Sequence, residues 1–239
     1  MPPSLLSFEG VSVSFGAQEV FSELSFQLDS GQSTALLGLN GAGKSTVLRL
    51  AVDLQRPSSG SVSLSGMPVT NPSARAGVAW LPERVTAPHY LRGREWLALL
   101  LAQHGLAYSH SQAVAECAHL DLVPSVLDAP VRHGSKGMLQ KLGLAACLLS
   151  GSHLLLLDEP MSGLDPRARR QCRDRLLEAR VEGRTLFMSS HELEDIPLLC
   201  ERVLVLHEGR LVFDDTPAAL CALDSSGKAE EGLLQLLKN

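Results

Sequence analysis

Apolar and polar residues alternate along several short segments of this chain, and a period of two is typical of β-strands that bury one face. The strands predicted in this way are 6–13, 24–28, 60–64 and 77–81, with a turn at 16–18. Two other segments, 35–37 and 154–157, are apolar without interruption. Such runs predict strands that are buried on both faces, as in parallel sheets.

From about residue 94 the apolar positions recur every three or four residues, which is the spacing of a helix with one buried face. The helices predicted from this spacing are 94–104, 111–119, 138–149, 166–181 and 192–200, and strands are predicted at 185–188 and 203–206. Strand–helix alternation at both ends of the chain, with a helical insert between, indicates an α/β fold in which helices wrap a parallel sheet. After residue 218 the pattern is weakly helical, with a break near 224–227.

Composition excludes several classes of protein. The net charge is −5 and the basic residues are scattered along the 239 positions, so we expect no nucleic-acid partner. The five cysteines are far apart and form no CxxC pair, which predicts reduced thiols in the core rather than disulfides or a zinc site. No signal peptide is visible. The longest apolar runs are about seven residues, whereas a membrane span needs roughly twenty. We therefore expect no membrane-spanning segment.

The strand at 35–37 leads into a glycine-rich segment and then into a helix. The segment is Gly38, Leu39, Asn40, Gly41, Ala42, Gly43, Lys44, Ser45 and Thr46. Its glycines let backbone N–H groups turn towards phosphate oxygens, and the helix start adds further donors. Lys44 would reach the β- and γ-phosphates, and the Ser45 hydroxyl would bind Mg²⁺. A glycine-rich turn before an ordinary helix is the alternative, but the Lys-Ser pair favours a nucleoside triphosphate site.

Two carboxylates, Asp158 and Glu159, directly follow the second buried strand. In open parallel sheets, ligands lie at the carboxyl ends of the strands. Asp158 would therefore hold Mg²⁺, and Glu159 could polarise a water molecule for attack on the γ-phosphate. An acidic pair that caps a helix is the alternative interpretation.

Further motifs lie before, between and after the phosphate-binding loop and the acidic pair. They are Ser135-Lys136-Gly137-Met138, the segment 161–165, Ser189-Ser190-His191, Phe15 and Leu81-Pro82-Glu83. With this set the chain resembles the ATP-binding cassette (ABC) ATPases over roughly residues 5–215. The matching elements of that family are, in the same order, the signature, the D-loop, the switch histidine, the aromatic residue that stacks on adenine, and the Q-loop.

The resemblance implies a P-loop NTPase (RecA-like) core with an N-terminal antiparallel β-subdomain and an inserted α-helical subdomain. The ABC ATPase domain would cover 5–217, with the helical insertion at about 84–150, and 218–239 would form a short tail. The implied cofactors are ATP and Mg²⁺.

The resemblance also assigns roles to residues. The implied catalytic residues are Glu159, His191 and Glu83, and the implied Mg²⁺ ligands are Ser45, Asp158 and Glu83. The implied ATP ligands outside 38–46 are Phe15, Ser135, Lys136, Gly137 and Asp165. The signature departs from the family pattern, since Gly134, Lys136 and Met138 replace Leu, Gly and Gln. Glu83 stands where most members have glutamine, which keeps an oxygen ligand but adds negative charge.

Three of these residues keep a structural alternative. His191 could open a helix with the preceding serines as caps, Phe15 could be a core aromatic, and Glu83 could be an ordinary surface residue. The rim at 84–95, with His89, Tyr90 and Leu91, is a candidate surface for partner contact.

The implied function is that of an ATP-hydrolysing subunit that powers a separate membrane-spanning partner. Since the chain carries a complete set of motifs, we expect a homodimer, attached through its partner to the cytoplasmic face of the membrane. The signature and Leu-Pro-Glu resemble the branch that serves ABC-2-type exporters, and 81–86 resembles the ATPase of the nitrous-oxide-reductase copper-maturation system. The alternatives are an ABC ATPase that acts as a non-transport mechanical or regulatory switch, and a P-loop kinase for a small metabolite.

Overall fold

A computed structural model describes residues 4–191 and 193–237. The strands are β1 (Leu6–Phe15), β2 (Gln18–Leu28), β3 (Ser33–Leu37), β4 (Ser59–Leu64), β5 (Met67–Pro68), β6 (Val78–Leu81), β7 (Leu154–Asp158), β8 (Thr185–Ser189), β9 (Arg202–His207) and β10 (Arg210–Asp215). The α-helices are α1 (Lys44–Ala51), α2 (Gly93–Ala102), α3 (His110–His119), α4 (Lys136–Leu149), α5 (Pro166–Val181), α6 (Ile196–Leu199), α7 (Pro217–Cys221) and α8 (Ala229–Leu236). This is the expected α/β architecture.

The smaller sheet is antiparallel, with strand order β2-β1-β4-β5. Along β1 the buried residues shift phase by one position, from Leu6 and Phe8 to Val11 and Val13. An irregularity in the β1–β2 register between Phe8 and Val11 accounts for this shift, since an extra residue turns the following side chains over. The inner face thus stays apolar along the whole strand.

The larger sheet has the order β10-β9-β3-β8-β7-β6. All its strand pairs are parallel except β9–β10. Both β3 and β7 are buried along their full length, as their uninterrupted apolar sequences predict. The carboxyl ends of β3, β8, β7 and β6 therefore lie side by side along one edge.

The helices between β6 and β7 have an apolar cluster of their own, to which Trp96, Leu97 and Cys117 belong. Helix α4 joins this cluster to the main core, because Leu142 packs in the helical cluster and Leu144 packs beneath the large sheet. Four cysteines are buried, and burial raises the thiol pKa of Cys147 to about 12. All five cysteines are free thiols, as predicted.

The structure differs from the pattern-based prediction mainly after β8. The helix predicted at 192–200 begins at a residue outside the described ones, and the rest is a 3-10 turn at Leu193–Asp195 followed by the single turn α6. Pro197 explains this correction, because it has no N–H to donate to residue 193 and fits only the first turn of a helix. Strand β10 was not predicted, and helices α7 and α8 fall in the segment whose pattern is weakly helical, on either side of the predicted break.

None of the helices formed by residues 4–191 and 193–237 is long and apolar enough to cross a membrane.

Candidate nucleotide-binding site

A cleft of about 540 Å³ opens at the edge of the large sheet where the four parallel strands end. It is lined by Phe15, Val20, Asn40, Gly41, Gly43, Lys44, Ser45, Thr46, Glu83, Asp158, Glu159, Ser162 and His191. Four of the five parallel strands, β3, β8, β7 and β6, contribute through residues at or shortly after their carboxyl ends. Ligands bind at this position in open α/β sheets.

The loop between β3 and α1 requires glycine at two positions. Gly38 has φ +151°, and a Cβ there would lie 2.3 Å from the backbone oxygen of Leu206. Gly43 has φ +101°, and a Cβ there would lie 2.8 Å from a side-chain methyl of Val20. These close neighbours leave no room for a side chain at either position, and glycine at such positions permits the turn by which a phosphate loop offers its backbone N–H groups.

Lys44 is the first residue of α1 and is only 8% exposed. Its ammonium donates to the backbone oxygens of Gly38 at 2.8 Å and Leu39 at 3.3 Å. Burial lowers the pKa of Lys44, and the charges of Glu159, Asp158 and Glu83 oppose that shift. The cation is thus fixed on the loop, beside the start of a helix, where an anion is favoured.

Asp158 and Glu159 are buried at the end of β7, with 1% and 8% of their surfaces exposed. The Ser189 hydroxyl donates to Asp158 Oδ1 at 2.6 Å and accepts the backbone N–H of Glu159 at 2.9 Å. Glu159 Oε2 lies 2.8 Å from His191 Nδ1 and accepts the backbone N–H of His191 at 3.3 Å. Strand β8 and the residues after it therefore hold both carboxylates.

The oxygen ligands around Ser45 suit Mg²⁺ that is also bound by phosphate and water, rather than a metal ion whose ligands all come from the protein. The Ser45 hydroxyl and the carboxylates of Asp158 and Glu83 line the same cleft. Within residues 4–191 and 193–237, no group of three or more His, Cys, Asp or Glu side chains could hold a metal ion. Mg²⁺ commonly binds through one or two protein oxygens, and phosphate and water complete its shell. The residues present fit that mode of binding.

Seven of the implied ATP ligands are not among the residues that line this cleft: Gly38, Leu39 and Ala42 of the loop itself, and four residues from other parts of the chain. Ser135 caps α4 and accepts the N–H of Met138 at 3.2 Å, and Asp165 caps α5 through the N–H groups of Arg167 and Ala168. Lys136 and Gly137 belong to the first turn of α4, beside Gly163 and Leu164. The structure thus collects the implied ligands in two groups: the cleft, and a signature patch formed by 135–137 and 163–165.

Sequence reasoning missed three residues of the cleft region. Val20 and Ser162 line the cleft, and Ser189 binds the Asp158 carboxylate and the Glu159 backbone N–H from the neighbouring strand. The sequence interpretation allowed the serines before His191 to act as helix caps, but Ser189 is the last residue of β8, paired with Asp158. The clue was its place at the end of a predicted strand beside the one that carries the carboxylates.

The fold and this cleft define the class of P-loop nucleotide-binding proteins. Residues 21–162 match the family model described as ABC transporter. A Nod factor export ATP-binding protein I from Paraburkholderia xenovorans is 34% identical over 228 residues, covering 93% of this chain and 74% of that protein. An uncharacterized ABC transporter ATP-binding protein from Nostoc is 40% identical over 187 residues, covering 76% of this chain and 55% of that protein.

Solved structures give the same result. An ATP-binding subunit of an ABC transporter superposes with a TM-score of 0.87 at 29% identity, covering 98% of this chain and 99% of that one. The fold also matches cbiO1 from Clostridium perfringens, with a TM-score of 0.76 at 22% identity and coverage of 92% and 91%. The chain belongs to the ABC transporter family and has its ATP-binding fold, which confirms the resemblance. It spans 55–74% of the length of these two curated relatives.

Proposed function

We propose that this protein hydrolyses ATP to ADP and phosphate and uses the reaction to drive a membrane-spanning transporter partner. The observation that supports the proposal best is the single cleft that joins the phosphate loop and Lys44 to the buried pair Asp158 and Glu159. A triphosphate held by the loop would place its terminal phosphate towards the carboxylates, because α1 and β7 flank the same cleft.

Each residue of the cleft has a role in this proposal. Lys44 and the loop N–H groups neutralise phosphate charge, while Phe15, which is 52% exposed on the hairpin rim, stacks on the adenine. Ser45 and Asp158, with Glu83 nearby, would hold Mg²⁺. When bound, Mg²⁺ neutralises charge on the β- and γ-phosphates.

Glu159 serves as the base. Its carboxylate accepts a proton from the attacking water, whose oxygen forms the new bond to the γ-phosphorus as the bond to the ADP oxygen breaks. His191, whose ring nitrogen faces Glu159 Oε2, fixes the direction of that carboxylate and contacts the γ-phosphate. Its exposed side chain lines the cleft, so His191 would lose this contact when the phosphate leaves.

The signature patch supports a homodimer. Ser135, Lys136, Gly137 and Asp165 stand apart from the cleft of their own chain, so a second copy can present them to the bound ATP. Nucleotide would then bind the closed dimer more tightly than the open one and shift the population towards it. We propose residues 5–217 as the ATPase domain, with the helical insertion at about 84–150 and the tail at 218–239.

A second groove on the surface supports the proposal that a partner protein docks on this chain. A groove of about 710 Å³ lies between the large sheet and the helical part, and Trp80, Val85, Trp96 and Leu100 line it. It borders the rim at 84–95, where Tyr90 is exposed. We propose that a segment of the membrane-spanning partner occupies it, which would attach the protein to the cytoplasmic face of the membrane.

We propose export as the direction of transport, because several relatives are named Nod factor export ATP-binding proteins. The ABC-2 type is proposed from the signature and Leu81-Pro82-Glu83, which resemble that branch. The copper-maturation system remains the narrower proposal, supported by the sequence of 81–86.

Replacement of Glu159 by glutamine tests the proposal. Glu159→Gln keeps the size of the side chain and removes the base, so steady-state ATP hydrolysis should fall by about 10²–10⁴-fold. Binding of a fluorescent ATP analogue should change little, because the phosphate loop is intact. Glu178→Gln, an exposed carboxylate on α5, is the matched control and should keep wild-type turnover. A Glu159→Gln protein with more than a tenth of wild-type activity would rule out this base.

A further inference from the structure

Ser189 is fully buried at the end of β8, directly between the cleft-lining strands β3 and β7. It is paired with Asp158 across the β7–β8 ladder and with Leu36 across the β3–β8 ladder. A polar side chain at such a position is costly unless it is hydrogen-bonded. Its hydroxyl is indeed used twice, once as a donor and once as an acceptor.

The two bonds go to consecutive residues of the site. Donation to Asp158 Oδ1 spans 2.6 Å, a short distance typical of a hydroxyl bound to a carboxylate. Acceptance from the Glu159 N–H spans 2.9 Å. One hydroxyl therefore fixes the side chain of Asp158 and the main chain of Glu159.

The main chain of Glu159 needs such a restraint. Its φ is +50°, in the left-handed region that residues with a Cβ seldom adopt. The other side of the residue is held by Gln140, a buried side chain of α4 whose amide donates to the Glu159 carbonyl at 3.5 Å. In this conformation the Glu159 carboxylate meets His191.

We propose that Ser189 is a positioning residue for nucleotide hydrolysis, which orients Asp158 towards the cation and holds Glu159 in the conformation that aims its carboxylate into the cleft. The inference rests on the proposed function. Ser189 does not line the cleft, so it acts through the two carboxylates and never touches the nucleotide.

The structure supplies a matched control for this role. Ser33 is also fully buried in the large sheet, on the neighbouring strand β3, and its hydroxyl has no hydrogen-bond partner among residues 4–191 and 193–237. Ser33→Ala therefore removes the same atom from the same sheet without removing a bond to the site.

Ser189→Ala should lower kcat by about 10- to 100-fold, as the loss of a partner of a metal-ligating carboxylate typically does. It should also raise the Mg²⁺ concentration needed for half-maximal binding of a non-hydrolysable ATP analogue. The KM for ATP at saturating Mg²⁺ should change by less than about threefold, because the phosphate loop is untouched. Ser33→Ala should leave kcat and the Mg²⁺ requirement as in the wild type.

Two further variants separate positioning from a loss of folding. Ser189→Thr keeps the hydroxyl and should recover most of the lost kcat, and Ser189→Cys keeps the shape with a weaker donor and should fall in between. Thermal unfolding of each variant shows that it is folded. Wild-type kcat and Mg²⁺ dependence in Ser189→Ala, or equal losses in Ser33→Ala, would overturn the inference. A wild-type protein without ATPase activity would instead refute the proposed function, and the Mg²⁺ dependence of analogue binding would still decide the role of Ser189.

Discussion

At the scale of single residues, Lys44 shows how burial prepares a site for its ligand. Its ammonium has exchanged water for two backbone carbonyls. Desolvation lowers its pKa, and three nearby carboxylates raise it only in part. A bound triphosphate brings further negative charge to the loop, which favours the protonated form. Nucleotide binding and protonation of Lys44 are therefore linked.

This linkage predicts that ATP affinity falls as the pH rises through the Lys44 pKa, which burial lowers from the ordinary lysine value of 10.5. Above that pKa the amine is neutral and no longer attracts phosphate. A fluorescent ATP analogue titrated from neutral pH to about pH 10 measures the effect.

Lys44→Ala is the control for this titration. It should bind more weakly at neutral pH and should lose the alkaline fall, since no other change is made in the loop. An alkaline fall of equal size in Lys44→Ala would assign the titration to another group.

At the scale of elements, a buried ion pair joins the helical part to the core. Arg175 on α5 contacts Glu116 on α3 through two bonds of 2.9 and 3.2 Å, and both side chains are at most 10% exposed. Arg175 also reaches Glu178, whose side chain is 62% exposed, at 3.5 Å. The guanidinium lies at the same distance from Glu182, whose side chain is 49% exposed. Arg175 thus has one buried and two exposed partners, and only the buried partner lies on another helix.

Removal of the buried partner should be costly. Glu116→Ala leaves Arg175 charged and desolvated, and should lower the free energy of unfolding by about 3 kcal/mol. Glu178→Ala removes an exposed partner of the same arginine and should cost about 0.5 kcal/mol or less. Urea unfolding of both variants, compared with the wild type, measures the difference. Equal losses would show that the helix α3 contact contributes nothing beyond a surface pair.

At the scale of the whole molecule, the implied ATP ligands lie in two separate groups, and this separation favours a dimer. The cleft holds the phosphate loop and the carboxylates, and the signature patch lies at the starts of α4 and α5. If a second copy supplies the patch, the specific activity rises with protein concentration until dimers saturate. A monomeric enzyme would show a constant specific activity.

Ser135→Arg tests the same point by mutation. It places bulk and charge on the signature patch, and should block hydrolysis while nucleotide binding stays intact. Ser111→Arg, an exposed serine of α3, makes the same charge change elsewhere and should remain active. The rates are measured over a range of protein concentrations, together with the dimer fraction by size-exclusion chromatography. Full activity of Ser135→Arg would contradict a shared site.

The sequence by itself determined the parts of this protein that depend on local chemistry. The phosphate loop follows from glycines placed before Lys44, and the buried strands follow from uninterrupted apolar runs, because each signal lies within a few adjacent residues. The ordered motifs were enough to predict the ABC family, which the comparisons confirm. Roles of individual residues, from Phe15 to His191, stay predictions until they are measured.

Only the tertiary structure decided which of these parts meet. The strand order β3-β8-β7-β6 brings residues that are up to 153 positions apart, from Gly38 to His191 (191 − 38), to one edge. It also places Ser189 against Asp158 and separates 135–137 from the cleft. Such contacts depend on how strands pair across the sheet, and no local period of apolar residues encodes that pairing.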